Sequence, residues 1–300
     1  MIKLLRPEQW TKNFFIFLPV FFGGQLLNVS AILSCIIAFI AFSFAASSIY
    51  CFNDIHDIET DKQHPEKCKR PVASGAISPK TAYSIMAVCL LLSICTLYLF
   101  SENFMGLTIL ISFYYMVNVA YCIKLKNYAI VDVIIIAAGF VFRILAGGIA
   151  TYIQPSEWII IMTFLLALFL AFAKRRDDVV LYKDTGVSHR KNTNQYNLEF
   201  MNQVITLIAA ITIIAYIMYT LSPNVIEYFN SEHIYFTSIF VLIGILRYLQ
   251  ISIVNLKSGN PAKILLHDRF IQCSIAGWIV SFLLIIYSKD IIAIFDRIAL

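Results

Sequence analysis

The sequence predicts an all-α, polytopic membrane protein of about nine transmembrane helices. Three observations carry that expectation. The 300 residues are 60% hydrophobic and only 14% charged, with a mean hydropathy of +0.78. A water-soluble domain of this length needs far more charged surface. Apolar runs of about 20 residues, the length that crosses a hydrocarbon core, recur along the whole chain. Lysine and arginine are confined almost entirely to alternate connections between those runs.

The runs lie near 14–29, 31–52, 79–101, 104–123, 127–149, 156–173, 201–222, 234–254 and 269–288. Backbone polar groups in lipid must be satisfied within the segment or in a closed barrel, and uninterrupted apolar runs lack a barrel's alternation. The first run is the least regular, because it contains Pro19 and the Gly23-Gly24 pair. It has no small-residue cleavage site, so it is expected to stay as an anchor rather than be removed as a signal peptide. No linker or low-complexity tract divides residues 1–300, which read as a single transmembrane domain.

Orientation follows from the basic residues. Lys3, Arg6 and Lys12 precede the first run; Lys62, Lys67, Lys69, Arg70 and Lys80 follow the second; Lys124 and Lys126 follow the fourth. Lys174, Arg175, Arg176, Lys183, Arg190 and Lys191 follow the sixth, and Lys257, Lys263 and Arg269 precede the ninth. The connections 25–31, 102–103, 150–157 and 222–233 have neither Lys nor Arg. A multi-pass protein of the cell's inner (cytoplasmic) membrane is expected, with its N-terminus cytoplasmic and its C-terminus outside. The seven cysteines form no CxxC and read as small apolar residues, without a disulfide framework or a metal site. The net charge of +5 suits anionic lipid or phosphate, whereas nucleic acid would call for a soluble basic domain.

Polar chemistry gathers in the two long cytoplasmic connections, 53–78 and 174–200. The first begins NDIHDIETD. If the second span continues as a helix, Asn53, Asp57 and Asp61 recur at i, i+4 and i+8 and share a face, with Asp54 beside them. Carboxylates this close raise one another's pKa unless a cation neutralises them. Mg²⁺ takes oxygen ligands, often one or two carboxylates plus substrate phosphates. The stretch therefore reads as a Mg²⁺-diphosphate cradle made by Asn53, Asp54, Asp57 and Asp61, against the plainer alternative of a solvated helix end. In HPEKCKRPVASG (64–75), the prolines discourage helix and Lys67, Lys69 and Arg70 supply cations. They are either positive-inside charges or a lid on phosphate oxygens, with Arg70 suited to bidentate contact.

NDIHDIETD has the form NDxxDxxxD and resembles the first aspartate-rich motif of the UbiA superfamily of intramembrane prenyltransferases. RPEQWTKN (6–13), NDIHDIETDKQHPEKCKRPVASG (53–75), FRILAGG (142–148), AKRRDD (173–178), HRKNTNQY (189–196) and RYLQ (247–250) resemble, in order, the subgroup of decaprenyl-phosphate phosphoribosyltransferases. The resemblance implies nine transmembrane helices around a central cavity open to the cytosol and, sideways, to lipid. It also implies the substrates: 5-phosphoribosyl diphosphate as donor, a polyprenyl phosphate as lipid acceptor and Mg²⁺ as cofactor, with diphosphate released. Superfamily members that prenylate aromatic acceptors usually carry a second carboxylate cluster after the sixth span. Here Lys174, Arg175 and Arg176 stand there, followed by Asp177 and Asp178. A Lys-Arg cluster fits a phosphate monoester, such as the donor's 5-phosphate. Asp178 takes the place of the subgroup's final acid, one methylene shorter.

Arg143 lies inside the fifth apolar run, where an unpaired guanidinium costs several kcal/mol. It is expected either to pair with another helix or, as the resemblance implies, to bind substrate phosphate. Lys12 could reach the acceptor's phosphate, and Trp10 reads as an interfacial anchor. Tyr114, Tyr115 and Tyr121 read as an aromatic belt, and Arg190 belongs to a basic pair that is either binding or surface charge. Asp54, Asp57 and Asp61 are the expected catalytic acids; no nucleophilic triad is evident. A prenyltransferase moving an isoprenoid from a prenyl diphosphate to an aromatic acceptor is the alternative within the superfamily. A transporter using the acids as an ion site is a third reading, disfavoured because transporter sites sit near the bilayer midplane.

Of the 23 lysines and arginines, only Arg143, Arg247, Lys289 and Arg297 fall outside the inferred cytoplasmic side. In a background without native cysteines, a cysteine at Ser74 should react with a membrane-impermeant thiol reagent only when the cytoplasmic face is exposed. One at Asn230 should react in intact cells. The reverse labelling pattern would invert the topology.

Overall fold

The computed structural model describes residues 2–63, 67–185, 192–255, 264–265 and 267–286. The described residues form helices and turns with no strand. Among the described residues seven helices are long and apolar enough to cross a membrane, so the chain is a multi-pass membrane protein. By contacts the chain falls into two compact units, Met1–Ser156 and Glu157–Leu300.

Unit 1 opens with α1 (Ile2–Leu5), an 11-residue 3-10 helix (Pro7–Phe17) and α2 (Leu18–Phe22). The apolar run expected at 14–29 is thus no continuous α-helix. Its first four residues close the 3-10 segment, unusually long for that geometry, and α2 stops at the Gly23-Gly24 pair, where Gly24 has φ 61. Four long helices follow: α3 (Val29–His56), α5 (Pro79–Phe100), α6 (Phe104–Ile123) and α7 (Val131–Thr151), with the short α4 (Ile58–Lys62) after α3. Side-chain caps start three of them. Asn28 accepts from Ala31 N, Ser78 from Thr81 N and Asn103 from Gly106 N, each satisfying a donor that the first turn leaves over.

The centre of unit 1 is α3, which packs on α1, the 3-10 segment, α5, α6 and α7. Its small buried residues Ala38, Ala41, Ala45 and Ala46 let neighbouring helices approach closely. Where backbones meet, side chains have no room: a Cβ on Gly147 of α7 would lie 1.9 Å from the Ile16 carbonyl oxygen.

Unit 2 holds α8 (Glu157–Thr185), α9 (Leu198–Thr220), α10 (Pro223–Phe229), α11 (Ser238–Ile253) and α12 (Arg269–Ile286). Here α8 packs on α9, while α11 packs on α9 and α12. The sixth apolar run, expected to end at residue 173, continues as helix through AKRRDD to Thr185. The expected cytoplasmic connection therefore begins as helix, which puts its bases and acids on defined turns. A buried hydroxyl knot joins α12 to α9: Trp278 Nε1 donates to Tyr216 Oη at 2.6 Å, and Tyr216 Oη lies 2.7 Å from Thr237 Oγ1.

Gly147→Ala should lower the thermal unfolding midpoint of the purified protein, at an overpacking cost of about 1–3 kcal/mol, because its methyl must displace main chain rather than a flexible side chain. An unchanged midpoint would mean that α7 and the 3-10 segment do not meet there.

Candidate functional site

The acids of NDIHDIETD occupy the last turn of α3 and the start of the next helix. Asp57 breaks the helix at φ −97, ψ 9, yet the i,i+4 ladder continues across it: Asp57 N donates to Asn53 O at 3.0 Å and Asp61 N to Asp57 O at 2.8 Å. The spacing expected from sequence is kept. Asp54 and Asp61 are buried, at 1% and 2% exposure, where an unpaired carboxylate would be costly.

Each acid is held by a base from a different segment. Arg6 donates to Asp54 Oδ1, and Lys126 donates to Asp57 Oδ1. Arg70 Nη1 lies 2.6 Å from Asp61 Oδ2 and 3.4 Å from Asp54 Oδ1, so one guanidinium spans two acids. Arg6 adopts a left-handed backbone conformation with φ 50 and ψ 59, uncommon for a non-glycine residue and often seen where function fixes the chain. Its guanidinium also sits 5.1 Å from the Tyr50 ring centroid. Beneath these pairs lies a small core of Leu4, Cys51, Val72 and Ala82. It joins α1, α3, the loop carrying Arg70 and α5, which explains why bases so far apart in sequence arrive at one helix end.

Among the described residues, no three acids, histidines or cysteines stand close enough to hold one ion. The expected four-ligand cradle of Asn53, Asp54, Asp57 and Asp61 is thus arranged around bases. The donor set still fits a hard divalent cation. It is all oxygen, and Asp54 Oδ2 is buried with no hydrogen-bond partner among the described residues, an acceptor left over inside the cluster. Asn53 Oδ1 is approached by Cys122 Sγ at 3.4 Å.

Arg143 is buried at 4% exposure in the interior of unit 1. Its hydrogen-bond partners among the described residues are neutral: Asn13 Oδ1 at 2.8 Å from Nε, Gly139 O at 2.6 Å from Nη1 and Tyr114 Oη at 3.4 Å from Nη2. Its guanidinium carbon lies 4.9 Å from the Phe42 centroid and 5.4 Å from that of Tyr114. Asn13, itself fully buried, donates onward to Ser43 Oγ at 2.8 Å. The interhelix ion pair considered from sequence is replaced by a polar chain and aromatic faces that fix the 3-10 segment against α3 and α7. Tyr114 belongs to this interior and is no belt residue. Trp10 is likewise tied inward, its Nε1 donating to Ser47 Oγ at 3.0 Å. Lys12 of the same segment is exposed, and Lys67, three residues before Arg70, is half-buried.

In unit 2 the AKRRDD bases separate by role. Lys174 is exposed. Arg175 is buried, with Nη1 3.2 Å from Asp178 Oδ2 one turn on. Arg176, also buried, donates to Asn202 Oδ1 at 2.6 Å and to the Ser252 carbonyl at 2.7 Å, joining α8 to α9 and α11. It serves the packing of the unit. Arg247 pairs with Asp268 at 2.7 Å and donates to Gln250 Oε1 at 2.8 Å. That pairing holds the Asp268 carboxyl below the ordinary carboxylate range. The landmark RYLQ is therefore in part a clamp between the end of α11 and the start of α12. Arg190 lies outside the described residues.

The sequence marks Lys126 only by sidedness, Arg6 by sidedness and as the first residue of RPEQWTKN, and Asn13 only as the last residue of that stretch. The signal for Arg6 and Lys126 was available: three acids in an otherwise apolar chain need three compensating charges, and these bases flank the same membrane face.

The UbiA prenyltransferase family model matches residues 15–274. The chain is 30% identical to decaprenyl-phosphate phosphoribosyltransferase of Corynebacterium glutamicum, over 96% of this chain and 86% of that protein. It is 33% identical to the protein of the same name from Mycolicibacterium smegmatis, over 93% of this chain and 90% of that one. The structure of a UbiA homolog from Archaeoglobus fulgidus bound to DMAPP and Mg²⁺ superimposes with a TM-score of 0.69 at 21% identity, covering 95% of this chain and 98% of that one. The chain belongs to the UbiA prenyltransferase family.

Proposed function

We propose that this UbiA-family chain is a transferase that moves a 5-phosphoribosyl group from 5-phosphoribosyl diphosphate to a polyprenyl phosphate, releasing diphosphate. Residues 1–300 act as one UbiA-type transmembrane domain, in the cytoplasmic membrane with the acidic site inward. The observation that carries the reading is that the chain holds an oxygen-only acidic cluster on α3 and also a Lys-Arg pair on α8, at the position where the resemblance leads one to expect acids for a prenyl diphosphate enzyme. Phosphoribosyl diphosphate carries both complementary groups, a diphosphate and a separate phosphate monoester. Similarity to phosphoribosyltransferases over nearly the whole chain supports the same substrates.

In the reaction the acceptor's phosphate oxygen forms a bond to the anomeric carbon while the bond from that carbon to the diphosphate oxygen breaks. The electron pair leaves with diphosphate. The acceptor is already ionised at neutral pH, so no general base is required. Catalysis then consists of positioning and of stabilising charge that grows on the leaving group. Asn53, Asp54, Asp57 and Asp61 would hold Mg²⁺, which supplies Lewis-acid neutralisation of the diphosphate when bound. Arg70 and Lys126, with Arg6, balance the carboxylates in the free protein and offer cationic donors to diphosphate oxygens, with Lys67 beside them. Lys174 and Arg175 take the 5-phosphate, with Asp178 orienting Arg175 through their ion pair. Arg143 contributes through Asn13 by fixing the segment that carries Lys12 and follows Arg6, and Lys12 would take the acceptor's phosphate at headgroup level. The lipid enters from the bilayer, its tail remaining in hydrocarbon.

Membranes containing the protein, supplied with labelled phosphoribosyl diphosphate and a polyprenyl phosphate, should move label into the organic-solvent phase. Transfer only from a prenyl diphosphate to an aromatic acceptor would overturn the assignment.

Asp57→Asn should lower turnover roughly tenfold or more, since it weakens charge stabilisation of the leaving group, while membrane insertion is kept. Near-normal turnover of that variant at low Mg²⁺ would remove the acids from the reaction. Lys174→Ala should raise the donor KM well above any change in the lipid KM. Equal changes in both would reassign Lys174 to folding or topology.

A further inference from the structure

Tyr248 belongs to the RYLQ stretch, and nothing in the reaction as described uses it. It sits in the third turn of α11 and is buried at 3% exposure. Its ring meets Phe169 of α8 edge-on, with centroids 5.4 Å apart. One turn further along α11, the Ser252 carbonyl accepts Arg176 Nη1 at 2.7 Å. These two contacts bracket Tyr248 against the stretch of α8 that runs from Phe169 to Arg176.

The hydroxyl itself is wholly buried and has no hydrogen-bond partner among the described residues. Buried tyrosines ordinarily satisfy that group, and leaving it unmade costs about 1–3 kcal/mol. Tyr216, on α9 of the same unit, shows the ordinary case, since its hydroxyl is bonded to both Trp278 and Thr237. If Tyr248 were only a packing residue, phenylalanine would fill the space without the penalty. A second buried side chain of the unit, Asn192, has no partner among the described residues for either its amide oxygen or its nitrogen, and it precedes a stretch that packs against α8. Polar capacity is thus left unused beside the helix that carries Lys174, Arg175 and Asp178.

We infer that Tyr248 is a further donor-binding residue, its hydroxyl donating a hydrogen bond to the sugar-phosphate end of the substrate held by the α8 cluster. This rests on the phosphoribosyl reading for the identity of the donor, and on the buried hydroxyl for the existence of the site. A phosphate or ribose oxygen is the complementary chemistry, because a phenol O–H is a good donor to an anionic or hydroxyl oxygen.

The test is Tyr248→Phe in the full-length protein, purified in detergent. The donor KM should rise roughly tenfold to a hundredfold, the range for losing one hydrogen bond to a charged group, with the lipid KM within about twofold of its original value. The unfolding midpoint of the unliganded variant should be equal or higher, because no bond is lost in the free protein. Ribose 5-phosphate, used as a probe, should bind the original protein and raise its unfolding midpoint, and should do so more weakly in the variant. A donor KM that does not move, or a lower midpoint without ligand, would overturn the inference, the latter by showing that the hydroxyl is bonded within the fold. Weakened ribose 5-phosphate binding in a protein that transfers no phosphoribosyl group would uphold the site and remove the proposed reaction. Intact transfer with unchanged kinetics in the variant would do the opposite. Failure of the original protein to bind the probe or transfer the group would remove both.

Discussion

Unit 1 is organised by the need to neutralise three carboxylates where α3 reaches the membrane boundary. Asp54 and Asp61 are nearly inaccessible, and a buried charge without a partner costs several kcal/mol. The compensating bases come from the residue before the 3-10 segment, the loop after α4 and the turn before α7. Each brings its own segment to the same helix end. The Leu4–Cys51–Val72–Ala82 core supplies the apolar contact that lets Arg6 and Arg70 stay there. The ion pairs set which segments converge, and the apolar core sets how firmly. Such pairs are poor sources of net stability but specific in geometry.

A second buried charge has the opposite character. Arg143 meets Asn13, a backbone carbonyl, a tyrosine hydroxyl and aromatic faces rather than an acid. This keeps the guanidinium solvated by protein dipoles and pins an irregular backbone segment inside the unit. Non-helical backbone at membrane depth is tolerated where protein buries it, and the Asn13–Ser43 and Arg143–Asn13 bonds supply that cover. The close passage of Gly147 over the Ile16 carbonyl belongs to the same arrangement. Through it, a residue far from the acids in sequence fixes the segment that delivers Arg6.

In unit 2, three consecutive bases on α8 do three different things. A helix advances about 100° per residue, so neighbours in AKRRDD must face different surroundings: Lys174 outward, Arg175 toward Asp178, Arg176 into the packing with Asn202 and Ser252. The extension of α8 past the expected membrane boundary makes this possible, because a loop would have left all three as mobile surface charge.

Composition, run length and the placement of lysine and arginine were enough to specify a helical multi-pass protein. These properties reflect the energetics of the bilayer, which acts on each segment nearly independently. The spacing of Asn53, Asp57 and Asp61 was legible for a similar reason, since local i,i+4 bonding persists even where Asp57 interrupts the helix. Partners were not legible. Arg6 and Lys126 read as sidedness charges and Arg70 as either such a charge or a lid on phosphate oxygens, and only packing sets one on each acid. Arg143 read as either an interhelix pair or a phosphate ligand, and only packing surrounds it with Asn13 and Tyr114. The irregular run at 14–29 could be flagged by Pro19 and Gly23-Gly24, but not its 3-10 winding, which depends on contacts with α3 and α7. The unbonded hydroxyl of Tyr248 is the clearest case. A sequence shows that a tyrosine is present; only tertiary structure decides whether its oxygen is satisfied, because that depends on which groups from distant segments come within hydrogen-bond reach.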